Sequence, residues 1–132
     1  MGLKYLWDTN AVVHYLQKNL PDPQQKLMSS IINRYQPALS VITEIELLCW
    51  KTATETDTAI ISNFISDSMV YQLTESIKWK TIEIRKKYRL KLPDAIIAAS
   101  ALANKHILIS NNVADFNKIY QLRVIDPFKL SK

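Results

Sequence analysis

The feature that most limits the fold of this chain is the alternation of short apolar runs with longer amphipathic stretches. Five short runs with apolar residues predict strands over residues 3–7, 37–40, 70–73, 106–110 and 123–125, and the run at 70–73 is also β-favouring. The stretches between them carry apolar residues at helical spacing. Strands that alternate with helices predict an α/β fold, with a central, mostly parallel five-stranded sheet and helices on both faces.

The helical spacing also predicts where the helices lie. Helices are expected over residues 11–18, 24–35, 41–50, 75–88 and 94–103, with another around residues 60–65 and a short one within residues 111–120. Thr56 or Thr58 is expected to open the helix around residues 60–65, because threonine is a favoured N-cap residue. The segment at residues 95–103 is apolar on nearly every side, which predicts a fully buried helix.

Length and hydropathy predict one domain spanning residues 1–132 and no association with a membrane. A chain of 132 residues buries about two-thirds of its unfolded surface as a single domain. No apolar run approaches the roughly 18 residues of a membrane helix, and charged Asp8 comes too early for a signal peptide. We therefore expect a cytoplasmic protein.

The scarcity of glycine, cysteine and histidine excludes several classes of site. Gly2 is the only glycine, so no glycine-rich phosphate loop is possible. Cys49 is the only cysteine, which excludes an intrachain disulfide, and we expect it to be a small buried hydrophobe. His14 and His106 lack the spacing of a zinc-binding helix. The net charge of +5 makes a polyanion a plausible partner.

Four acidic residues follow predicted strands or lie on the helices beside them. Asp8 ends the first strand, Glu46 lies one to two turns into the helix after the second, Asp94 starts the buried helix, and Asp115 follows the fourth strand near Asn112. Because the carboxyl ends of parallel strands share one edge, we expect these side chains to converge there. An all-oxygen cluster suits Mg²⁺ or Mn²⁺, which predicts metal-dependent phosphodiester hydrolysis.

Each acid also has a purely structural explanation. Asp8 is a good helix N-cap, Asp94 suits the positive end of a helix, and Asp115 is an ordinary loop acid. Glu46 is harder to explain in this way, because its helix is otherwise apolar and a buried acid without a partner is costly. Glu46 needs no functional explanation if it faces solvent.

Four segments, in order along the chain, resemble the motifs of PIN-domain nucleases, and the length is that of the VapC-type toxins. The segments are Asp8-Thr9-Asn10, Ser40-Val41-Ile42-Thr43-Glu44-Ile45-Glu46-Leu47, Leu92-Pro93-Asp94-Ala95-Ile96-Ile97-Ala98-Ala99 and Ser110-Asn111-Asn112-Val113-Ala114-Asp115-Phe116. The resemblance implies an endoribonuclease toxin that cleaves RNA, forms a homodimer and is held inactive by a cognate antitoxin.

The resemblance also implies roles for individual residues. Asp8, Glu46 and Asp94 correspond to metal ligands, with Asp115 or Asn112 as the fourth. The hydroxyls of Thr9, Thr43 and Ser110 would orient carboxylates or water. Ser110 stands where the closing motif usually has threonine, and Asn112 where it often has aspartate.

Two further expectations concern binding. Arg89 and Lys91 precede Asp94 closely and are the candidate RNA-binding residues, although a solvated helix face explains such cations equally well. The substitution at Asn112 leaves an alternative function open. In that alternative, the chain is a catalytically weak or inactive PIN-like domain that binds RNA or protein.

Overall fold

The five strands form one parallel sheet in the computed structural model, which describes residues 2–51 and 53–131. The strands are β1 (Leu3–Trp7), β2 (Gln36–Ser40), β3 (Met69–Tyr71), β4 (Ile107–Ile109) and β5 (Val124–Ile125). Their order is β3-β2-β1-β4-β5, and every neighbouring pair is parallel. The predicted α/β class is confirmed, and the sheet is parallel throughout. The chain runs outward from β1 to β3 and then returns to β4, so the sheet has a switch point beside β1.

Seven α-helices and a short 3₁₀-helix connect and cover the strands of the described chain. They are α1 (Thr9–Leu16), α2 (Asp22–Arg34), α3 (Val41–Leu48), α4 (Glu55–Ser66), α5 (Glu75–Lys87), α6 (Leu92–Ala103) and α7 (Val113–Phe116), with the 3₁₀-helix at Pro127–Lys129. No helix among residues 2–51 and 53–131 is both long and apolar enough to cross a membrane.

The sheet separates two hydrophobic cores, because neighbouring residues of β1 point to opposite faces. Leu6 packs into the core that α5 and α6 cover, and Trp7 packs into the core that α1, α2 and α4 cover. The Trp7 ring meets the rings of Tyr15 and Phe64 edge-on, at 5.5 and 5.4 Å between centroids. The prediction of helices on both faces is therefore confirmed.

Two local predictions were wrong. Thr54, not Thr56 or Thr58, caps α4: its hydroxyl accepts the Asp57 amide at 3.0 Å, while the Asp57 carboxylate accepts the Thr54 amide at 3.0 Å. This reciprocal pair satisfies two backbone donors at once, which neither later threonine offers.

Cys49 is exposed and not buried as expected, because it follows the last turn of α3 at a position that the core does not cover.

Candidate active site

Asp8 lies at the carboxyl end of β1, where it caps the N-terminus of α1. Its side chain is only 5% exposed and accepts three hydrogen bonds. The Thr9 amide donates to Oδ1 at 2.9 Å, and the side chains of Asn10 and Ser110 donate to Oδ2 at 2.9 and 2.7 Å. This network holds the carboxylate in one orientation at the centre of the sheet edge.

Ser110 and Asn10 attach the loop after β4 to the loop after β1. Ser110 is fully buried, and its hydroxyl accepts the Asn112 amide at 3.0 Å while donating to Asp8. Oδ1 of Asn10 accepts the Asn111 amide at 3.0 Å. Sequence reasoning assigned no role to Asn10, although its place in the Asp8-Thr9-Asn10 segment was the signal available. Its amide bridges the two loops that meet at Asp8.

Glu46 reaches the same edge from α3, through Thr9. The Thr9 hydroxyl donates to Oε1 of Glu46 at 2.6 Å, and the Thr9 and Thr43 hydroxyl oxygens lie 3.1 Å apart. Thr43 is fully buried, whereas Glu46 is exposed. Of the two positions that the sequence left open for Glu46, the structure therefore has the one on the solvent side of α3. Its carboxylate is accessible to a ligand from solvent.

The carboxylates at this edge affect one another's ionisation. Burial raises the pKa of Asp8 above 3.8, hydrogen bonds to its carboxylate oppose the rise, and the charges of Asp94 and Glu46 add to it. Burial likewise raises the pKa of Asp94, and the charges of Glu46 and Asp115 raise it further. Negative charges raise a carboxyl pKa in this way only when they are close together. The structure therefore brings Asp8, Glu46 and Asp94 to one place.

Asp115 and Asn112 lie at the margin of this group. Asp115 is exposed on α7, and the Asn112 side-chain amide donates to its Oδ2 at 3.1 Å. Asp115 is near enough to raise the pKa of Asp94. One oxygen of Asp115 is thus committed to Asn112, and the other is free to accept another donor or a cation.

The donor set fits a divalent cation in its chemistry. The side chains that meet here offer carboxylate, hydroxyl and amide oxygens, the ligands that Mg²⁺ and Mn²⁺ prefer. Along the ranges that the structure describes, no three Asp, Glu, His or Cys side chains stand in an arrangement that would hold a metal ion. The carboxylates of Asp8, Glu46 and Asp94 are thus near one another without forming a closed set of three ligands.

The predicted RNA-binding residues lie on the loop between α5 and α6. Arg89 and Lys91 are both exposed, and Lys91 immediately precedes α6. The charge of Lys91 lowers the pKa of Asp94, so the two side chains are close. The Arg89 carbonyl accepts the Lys118 ammonium at 2.9 Å, which fastens this loop to the segment after α7.

One family model matches a range of the chain that contains all the candidate site residues at the carboxyl edge of the sheet. The model of the family described as PIN domain matches residues 5–122. The chain belongs to the PIN-domain family. The matched range begins within β1 and ends just before β5, so it includes every carboxylate described above. No curated protein sequence matches the chain significantly.

Solved structures of VapBC and of a toxin–antitoxin complex resemble this chain along almost its full length. The VapBC-1 structure from nontypeable Haemophilus influenzae is 26% identical, covers 96% of this chain and 100% of the matched chain, and gives a TM-score of 0.78. DNA-bound VapBC from Salmonella typhimurium is 24% identical over 95% of this chain and 98% of the matched chain, with a TM-score of 0.80. A Klebsiella pneumoniae toxin–antitoxin complex is 26% identical over 96% of this chain and 100% of the matched chain, with a TM-score of 0.75. The predicted resemblance to VapC-type toxins is confirmed.

Proposed function

We propose that this PIN-domain protein is a Mg²⁺- or Mn²⁺-dependent endoribonuclease, the toxin of a toxin–antitoxin pair. One observation carries the proposal: carboxylates from separate elements come together at the carboxyl edge of the sheet, where the charges of Asp94 and Glu46 raise the pKa of Asp8 and the charges of Glu46 and Asp115 raise that of Asp94. Gathering like charges is unfavourable unless a cation neutralises them. A fold that retains such an arrangement, rather than replacing it with apolar packing, fits a cation-dependent site.

In this proposal Asp8, Glu46 and Asp94 hold the metal ion, with Asp115 or Asn112 as the fourth ligand. The ion, when bound, supplies charge neutralisation and a bound water of lowered pKa. Ser110 holds the Asp8 carboxylate and Thr9 holds that of Glu46, so both are oriented before a ligand arrives. The buried Thr43 hydroxyl lies within hydrogen-bond distance of the Thr9 hydroxyl and helps to hold it in position.

The cations nearest the site suit an RNA substrate. Lys91 is close to Asp94, and exposed Arg89 lies two residues before it. An ammonium beside the carboxylates attracts the phosphodiester that those carboxylates alone would repel. We assign Arg89 and Lys91 to the RNA backbone on this ground, and we place the activity in the cytoplasm with its RNA substrate.

The similar structures support an antitoxin as the protein partner. The Haemophilus, Salmonella and Klebsiella proteins were each solved as toxin–antitoxin complexes, and the Salmonella complex also contained DNA. We propose that a cognate antitoxin binds this chain, and that the chain forms a homodimer.

The test is cleavage of a structured RNA pool by purified protein free of antitoxin. We expect cleavage with Mg²⁺ or Mn²⁺, none with EDTA, and none for Asp94→Asn. Asp67→Asn is the matched control, because it removes the same charge at the exposed end of α4 and is expected to cleave normally. Cleavage that persists in EDTA, or in folded Asp94→Asn, would refute the metal-dependent mechanism.

A second candidate function rests on the pair formed by Asn112 and Asp115. Their hydrogen bond commits one Asp115 oxygen, and Asn112 offers an amide where the closing motif often has a carboxylate. Both features favour a weak or inactive nuclease that binds RNA or protein. Folded wild-type protein that binds RNA but cleaves none with either ion would support this function.

A further inference from the structure

A cleft outside the candidate active site lies between α5, the end of α6 and the segment after α7. Its volume is about 150 Å³, and its floor is apolar, formed by Ile84, Leu102 and Ile119. Its rim carries the polar, charged and aromatic side chains of Lys80, Glu83, Lys87, Tyr88, Tyr120 and Gln121. We call this the α5 cleft. None of the site residues described above lines it.

The charge available in the α5 cleft is that of Lys87. The Lys80 ammonium lies 3.4 Å from the Glu83 carboxylate, so this pair contributes little net charge. Lys87 is exposed and has no carboxylate partner in the part of the chain that the structure describes. Its ammonium lies 5.6 Å from the centre of the Tyr88 ring, at the rim. The cleft therefore presents one unneutralised cation.

The α5 cleft also presents a hydroxyl proton and an open aromatic face. The Tyr88 hydroxyl accepts the Tyr120 amide at 3.0 Å, and its own proton is not committed to an acceptor among the described residues. The Tyr120 side chain is among the most exposed apolar groups of the protein, at 71%. An exposed aromatic ring beside a cation is the combination that binds single-stranded nucleic acid, because bases stack on the ring while the cation meets a phosphate.

The turn that carries Tyr120 is held in place rather than free. The Lys118 ammonium donates to the Arg89 carbonyl, and the Leu122 amide donates to the Ile119 carbonyl at 3.2 Å. Gln121 has a φ of 67°, a left-handed conformation that is unfavourable for any residue except glycine. These contacts hold the backbone of the turn, so the Tyr120 ring extends into solvent from a fixed point of the chain.

A short stretch of chain joins the α5 cleft to the candidate active site. Tyr88 lies six residues before Asp94, so the two are at most about 20 Å apart. Exposed Arg89 and Lys91 lie between them. An RNA strand that followed this segment from Asp94 would pass Lys91 and Arg89 before it reached Lys87.

We propose that the α5 cleft binds a nucleotide of the single-stranded RNA that flanks the cleaved bond. Lys87 and the Tyr88 hydroxyl contact its phosphate, and its base stacks on Tyr120. The choice of RNA rests on the proposed function, but the contacts themselves need no metal ion. The cleft then favours RNA with an unpaired nucleotide beside the cleavage site, which is where proteins usually recognise RNA.

Binding is tested in EDTA, where the proposed chemistry cannot occur, with a labelled single-stranded RNA of about 12 nucleotides. We expect Lys87→Ala to raise the Kd about tenfold and to reduce the slope of log K against log salt by about 0.7, the value for one phosphate contact. Tyr120→Leu should raise the Kd about tenfold with the slope unchanged, and Tyr120→Phe should leave the Kd unchanged.

The matched control is Lys86→Ala, which removes the same charge from the same helix outside the α5 cleft. We expect its Kd to stay within about twofold of wild type. An equal effect of Lys86→Ala and Lys87→Ala, or no effect of Lys87→Ala and Tyr120→Leu, would overturn the proposal. Undetectable RNA binding by folded wild-type protein would also overturn it.

A cleavage arm separates this proposal from the proposed function. In the cleavage assay on the structured RNA pool with Mg²⁺ or Mn²⁺, Tyr120→Leu should raise KM about tenfold. It should leave kcat unchanged, since Tyr120 lies away from the carboxylates. If RNA binding depends on the α5 cleft but no RNA is cleaved, the proposed nuclease activity is refuted and the proposed binding site stands. If RNA is cleaved but Lys87→Ala and Tyr120→Leu bind it like wild type, the proposed binding site is refuted and the proposed nuclease activity stands.

Discussion

The Thr9 hydroxyl lies 2.6 Å from Oε1 of Glu46, and this hydrogen bond joins two helices that follow neighbouring parallel strands. Glu46 is exposed, so without this bond its side chain would be free to adopt many rotamers. The bond therefore reduces the entropy that Glu46 must lose when it binds a ligand.

Thr9→Val should lower kcat for RNA cleavage about 10- to 100-fold, because it removes the group that orients Glu46 while keeping the shape of the side chain. Thr9→Ser retains the hydroxyl and should cleave within a few-fold of wild type. The measurement is kcat at saturating Mn²⁺, with circular dichroism to establish that each variant folds. Equal losses in both variants would attribute the effect to the methyl group and not to the hydroxyl.

Ser110→Ala should lower the free energy of unfolding by about 1–3 kcal/mol. The Ser110 hydroxyl is buried, and its loss leaves the Asn112 amide without its acceptor and Asp8 with one donor fewer. Denaturant unfolding measures the change. Ser100→Ala is the matched control: Ser100 is equally buried, but its hydroxyl only bonds the Ile96 carbonyl within α6. We expect that control to cost less than about 1 kcal/mol, and an equal cost would contradict the role given to Ser110.

The sequence was sufficient to predict the sheet and the meeting of the acids, because both follow from periodicity. Alternating strands and helices imply parallel strands, and parallel strands bring Asp8 and Ser110 to one edge. The fully buried helix could also be predicted, since residues 95–101 are apolar on nearly every face and are buried in the structure. These properties depend on local pattern and need no knowledge of three-dimensional contacts.

The details that could not be predicted depend on tertiary contacts or on competition between similar residues. The sequence left open whether Glu46 is buried on its apolar helix, because which side of α3 faces solvent is set by how the helix packs. Three threonines compete to cap α4, and only Thr54 has an aspartate at the third helical position to complete a reciprocal pair. Asn10 gains its role from Asn111, which is 101 residues away along the chain.

Asp94→Asn should raise the melting temperature by about 1–3 °C at pH 7 in EDTA. The pKa of Asp94 is raised in the folded state, so the native protein binds the proton more tightly than the unfolded chain does. Stability therefore falls as the pH rises from 3.8 through the folded pKa, and at pH 7 the full cost of the ionised group is present. The asparagine removes that cost, although partial exposure of Asp94 keeps the effect small.

The dependence of the melting temperature on pH and on metal tests whether Asp94 is an ionised metal ligand that destabilises the metal-free fold. The difference in melting temperature between wild type and Asp94→Asn should shrink as the pH falls and should vanish well below 3.8, where the carboxyl is protonated in both the folded and the unfolded state. Added Mn²⁺ should stabilise the wild type and not the variant, because it binds the native carboxylates. A melting temperature that is lower in the variant at pH 7 would show that Asp94 stabilises the fold, against this prediction.

Asn112→Asp should make the protein less stable in EDTA and more responsive to Mn²⁺. The substitution replaces the amide that donates to Asp115 with a second carboxylate, so two like charges face each other. We expect the melting temperature to fall by a few degrees in EDTA, and Mn²⁺ to recover more than it adds to the wild type, since the new oxygen is a further ligand. Asn111→Asp is the control: it adds the same charge at an exposed neighbour whose side chain makes no hydrogen bond among the described residues. Equal recovery in both variants would mean that Mn²⁺ only screens surface charge, and that Asn112 does not face the metal.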